Sequence, residues 1–97
     1  MIKIKITPAQ HKIAGWCLSE MLRDYANKNT ETEYSLSSIP VLQSQTLYLH
    51  EDSPRARDAL LDKLENQLDQ YMQDHPETSN PKRAARNIVE KIRKSNK

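Results

Sequence analysis

Three places in the chain set a helix-capping residue directly before proline: Thr7-Pro8, Ser53-Pro54 and Asn80-Pro81. A Thr, Ser or Asn side chain accepts a hydrogen bond from a free backbone N–H at a helix start. Proline at the next position already holds the φ of a helix and lacks the N–H that would go unpaired there. Each pair is followed by apolar residues at helical spacing. Three helix starts are thereby fixed, and the segments between them are left for strands and loops. Thr7-Pro8-Ala9-Gln10 is the fullest signal, because Gln three residues after Thr completes a capping box.

From these starts the spacing predicts helices over 8–28, 54–74 and 81–95. On the first, Ile13, Ala14, Cys17, Leu18, Met21, Leu22 and Tyr25 fill about half the circumference and read as the core face. On the second, Ala56, Leu60, Leu61, Leu64, Leu68, Tyr71 and Met72 form one stripe that ends before Pro76. The third offers only Ala84, Ala85, Ile88, Val89 and Ile92, a small face that predicts the most weakly held helix.

Strand signals lie before and after the first helix. Residues 2–6, IKIKI, alternate strictly, with the isoleucines on one face and the lysines on the other. In the region 36–50, Thr46 to His50 alternates in the same way, while Pro40 confines its segment to a sheet edge or an irregular stretch. A hairpin through Gln43-Ser44-Gln45 joins the two parts, without the usual glycine. The expected fold is a single α+β domain over residues 1–97. It has a two- or three-stranded sheet and three helices, in the order β-α-β-β-α-α.

The residue types bound the chemistry. Hydrophobic residues make up 36% and there is no Phe, so the core rests on Leu, Ile, Ala, Val and Met. The single cysteine cannot form an internal disulfide. No apolar run resembles a secretion signal or reaches the roughly 20 residues that cross a bilayer. The expectation is a soluble, cytoplasmic protein.

One glycine, Gly15, cannot build a phosphate-cradling loop. His11, His50 and His75 have no metal-ligand spacing. Cys17 falls in the apolar arc and reads as a structural thiol, and Asp58, Asp62, Glu65 and Asp69 read as a solvated helix face. No catalytic residue, metal or cofactor is expected, which leaves a module that acts by binding.

Charge is unevenly spread. Residues 81–97 carry seven Lys/Arg and one Glu, whereas residues 51–77 carry eight acids and three bases. Lys82, Arg83, Arg86, Arg93 and Lys97 fall within an arc of about 100° on the third helix. That arc either faces the acids of the second helix or tracks phosphates as an accessory nucleic-acid binder. No aromatic is interleaved there to stack on bases.

Trp16 stands apart. It projects about 60° beyond the apolar arc, among Lys12, Glu20 and Arg23, and large aromatics anchor interfaces. Gly15 beside it leaves room for another backbone. The first functional reading is a small protein-interaction or regulatory module, of the inhibitor or adaptor kind, with Trp16, Lys12 and Arg23 as its partner-binding residues. The alternative is the nucleic-acid reading through the basic helix. Homodimerisation is compatible with both.

Overall fold

The computed structural model describes residues 1–27, 34–74 and 80–95. The elements follow the expected order: β1 (Ile2–Lys5), α1 (Pro8–Asn27), β2 (Val41–Gln43), β3 (Thr46–Leu49), α2 (Pro54–Asp74) and α3 (Asn80–Ser95). A 3-10 turn at Leu36–Ser38 leads into β2. The chain is an α+β fold with a three-stranded antiparallel sheet of order β1-β3-β2. The predicted strand region 36–50 thus divides into a turn and two short strands. Lys28 and the side chains of Tyr71 and Met72 lie outside the described residues.

Alternation explains the sheet. Ile2 pairs with Leu49 and Ile4 with Leu47, and Leu42 pairs with Leu47 from the other side. These residues turn toward the helices. Lys3, Lys5, Thr46, Tyr48 and Gln43 take the opposite face, as one-sided antiparallel sheets do. The helices cover only the apolar face. α1 reaches β2, α3 reaches β1, and α2 packs across α1 and α3.

The capping box forms as the sequence predicts. Thr7 Oγ1 accepts from the Gln10 N–H at 3.2 Å, and Gln10 Oε1 accepts from the Thr7 N–H at 2.9 Å. Gln10 is only 2% exposed. Its Oε1 also accepts from Lys91 Nζ at 3.0 Å, and the same ammonium donates to the Lys5 carbonyl at 3.0 Å. One lysine of α3 therefore ties the end of β1 to the start of α1.

That tie, and the core beneath it, reverse the expectation for α3. Ala85, Ile88 and Ile92 are fully buried, and Ala84 and Val89 nearly so. All five belong to one cluster with Ile4, Leu47, Leu60 and Leu64. Small side chains let the helix sit close to both neighbours, so a narrow face still buries completely. α3 is a central element of the core.

The hairpin carries the one backbone departure. Ser44 has φ 56°, and it is the only non-glycine residue with positive φ among the described residues. Gln43 pairs with Thr46, so Ser44 and Gln45 form a two-residue loop. Positive φ at the first central position alone marks a type II′ turn, where glycine is preferred. Serine there carries strain of about 1 kcal/mol.

Two outcomes follow for stability. Gln10→Ala leaves the Thr7 N–H and the Lys91 ammonium without their buried acceptor, and lowers unfolding free energy by about 2 kcal/mol in urea titration. Ser44→Gly relieves the turn and raises it by a few tenths to about 1 kcal/mol, net of the added freedom of the unfolded chain.

Candidate functional site

The apolar arc predicted for α1 is wider than the face the core takes up. Ile13, Ala14, Cys17, Leu18 and Met21 are buried, but Leu22 is 47% exposed. Leu36 and Val41 are also about half exposed. This corrects the assignment of Leu22 to the core. The reason is geometric: the sheet ends at β2, so the flank of α1 that carries Leu22 overhangs the sheet edge.

Leu22, Leu36 and Val41 belong to one feature. With Gly15, Leu18, Ser19, Ile39, Pro40 and Leu42 they line an open groove of about 390 Å³ between α1 and the segment from the 3-10 turn into β2. None of the nine carries a charge. Local sequence sets each wall. Ser35 N–H donates to Ser38 Oγ at 3.1 Å and Ser38 Oγ donates to Ser35 O at 2.8 Å, which closes the turn that presents Leu36. Pro40 then enters β2. At the floor, Gly15 faces Leu42: a methyl added there would meet Leu42 Cδ2 at 3.7 Å and no other atom within 4 Å. Among the described residues Gly15 admits a leucine side chain, not a second backbone.

Trp16 lies on the same helix, beside the groove, and is 46% exposed. Lys12 and Arg23 are exposed near it, and Arg23 is held by Glu20 at 2.6 Å. The three residues singled out from sequence therefore share the outer face of α1. What sequence reasoning missed is the concave wall next to them. The strictness of the helical period hid it, because Leu22 fits the core arc and only the end of the sheet exposes it.

The basic residues of α3 do not make one open surface. Lys82 is 3% exposed. Arg93 pairs with Glu65 of α2, and Lys91 is held at Lys5 and Gln10. Arg83 and Arg86 are exposed, and Lys97 lies outside the described residues. In the same way Lys63 of α2 pairs with Asp24 of α1. One ion pair thus links the basic helix to the acidic one, and a second links α2 to α1.

A second hollow, of about 290 Å³, is polar. Tyr34, three serines of the 3-10 turn, His50, Asp52 and Ser53 line it. The hydroxyls of Ser35, Ser37 and Ser38 bond within their own turn, so these three are not set against His50 by those bonds. Among the described residues no group of three or more His, Cys, Asp or Glu comes together. No protein-family model, curated protein or solved structure matches this chain.

Cys17 is fully buried beneath α1, and desolvation pushes its thiol up to about 12. Burial, then Asp24, also raises Tyr34 above its ordinary value, while Lys63 opposes the shift. A group whose folded pKa is raised contributes stability below its unfolded pKa and loses it as pH rises toward the folded one. For Cys17 that window runs from about 9 to about 12. Urea midpoints should therefore hold up to pH 9 and fall above it, and Cys17→Ala should flatten the part of that fall due to the thiol. The native thiol should resist maleimide at pH 8 and react only on unfolding.

Proposed function

We propose that the protein is a small interaction module that docks a protein partner on the face formed by the α1–β2 groove and Trp16. The groove carries this reading: a concave, uncharged wall rimmed by half-exposed leucine and valine. Half-exposed Leu22, Leu36 and Val41 gathered along one wall with a polar rim are the kind of surface at which partners dock. Trp16 supplies the large aromatic that dominates binding energy in many interfaces. Lys12 and the Arg23–Glu20 pair form a polar rim beside it. No helix among the described residues is long and apolar enough to cross a membrane, and a cytoplasmic setting is part of the proposal.

The nucleic-acid reading draws less support. Of the five residues behind it, Lys82 is buried and Arg93 is engaged by Glu65.

Leu22→Glu and Trp16→Ala test the docking face, because both positions are exposed and neither change opens the core. Each variant should keep the wild-type circular dichroism and urea midpoint to within about 0.5 kcal/mol. Each should lose tenfold or more of the binding seen when the immobilised chain is titrated with the purified binding partner. Undiminished binding by both variants sinks the reading.

A further inference from the structure

We propose that the occupant of the groove is a second copy of this chain, paired β2 to β2 across a two-fold axis at Leu42; this rests on the groove being a docking face. The two edges of the sheet differ. Ile6 N–H donates to the Gln45 carbonyl, so Lys5 and Thr46 are a pair that does not exchange bonds. Thr46 therefore aims its backbone groups at Gln43, and by alternation Leu42 aims its N–H and C=O away from β3. On the far edge Lys3 and Lys5 likewise point outward, but Lys91 takes the Lys5 carbonyl and the two exposed lysine side chains of that strand guard it against pairing. The edge at Leu42 stays open.

Leu42 set opposite the partner's Leu42 exchanges two hydrogen bonds and makes one sheet of six strands, twice the three of one chain. Pro40 has no N–H to lengthen the ladder, so side chains must supply the rest of the affinity. They can. Both Leu42 side chains then lie on the helix-bearing face, and the two grooves merge between two antiparallel copies of α1. Ser19, exposed on the groove wall, is small enough to let those helices approach.

Charge does not oppose a copy. The groove holds no charged residue to repel its own image; Arg23 at its rim is paired with Glu20, and Lys12 stands on the outer face of α1. A standard interface takes about 800 Å² from each side, roughly an eighth of the 6068 Å² surface. The groove alone is too small for that, so Trp16 enters the contact.

Sedimentation of the full chain over roughly 1–100 µM, a range suited to a modest interface, should show a monomer–dimer equilibrium. Trp16 emission should shift to the blue as dimer forms. Leu22→Glu should weaken association at least tenfold. A register test is sharper. Val41 should face the partner's Gln43 at a Cα distance of about 4.5 Å, inside the disulfide range of about 4.4–6.8 Å. Both positions are exposed and Cys17 is buried. Oxidising a mixture of Val41→Cys and Gln43→Cys chains should give mainly the mixed disulfide. A monomer throughout, or a dimer that ignores Leu22→Glu and gives no mixed disulfide, overturns the proposal. If the chain is monomeric yet binds another protein in a way that Leu22→Glu abolishes, the groove remains a docking face and only the second copy is wrong.

Discussion

One ammonium group ties three elements of the fold together above its apolar core. Lys91 Nζ contacts Lys5 O and Gln10 Oε1, and so joins the last residue of β1, the capping box of α1 and the body of α3. Each partner is a backbone or amide oxygen left over by its own element. The Lys5 carbonyl points off the sheet edge, and the Gln10 amide has spent one acceptor site on Thr7. A cation at that junction satisfies both at once, and charge-assisted bonds are stronger than neutral ones. With α3 fixed there, Ala85, Ile88 and Ile92 are pressed into the space between α1 and α2.

This shows why part of the architecture was legible and part was not. Starts of helices are local: Thr7, Ser53 and Asn80 with their prolines mark them in the sequence, and at Thr7 the cap bonds close within three residues. Strict alternation in IKIKI and in Thr46–His50 is local too, and it placed the sheet. The importance of α3 was not local. A five-residue face of small side chains reads as weak until its depth between two helices is known. Lys82 misled for the same reason, since a charged residue in a helical arc looks exposed from sequence and proves buried.

The groove failed to announce itself for a different reason. Leu22 satisfies the core periodicity of α1, and periodicity cannot tell where the sheet beneath a helix stops. Only the width of the sheet decides this. Three strands, the outermost just Val41–Gln43, do not extend under the whole apolar arc. Trp16 was conspicuous because it broke the pattern. Leu22, which obeyed it, completes the surface. The charges behaved conversely: the basic C-terminal segment looked like a binding surface, and pairs such as Arg93–Glu65 draw part of it back into the fold.

The unequal treatment of the two sheet edges limits what association can build. An exposed strand edge is a template for more strands, and two open edges on one sheet permit endless addition. Here β1 has two outward residues, Lys3 and Lys5, with Lys91 on the Lys5 carbonyl, while β2 has one outward residue, Leu42, two positions after a proline. The proposed pairing through β2 would use the same patch on both copies and leave outside only the β1 edges, which carry Lys3, Lys5 and the Lys91 contact. Such an isologous contact terminates at two chains. The short strand and the proline before it restrict the affinity that backbone alone can give, so in the proposed pairing the apolar wall of α1 would have to supply the rest.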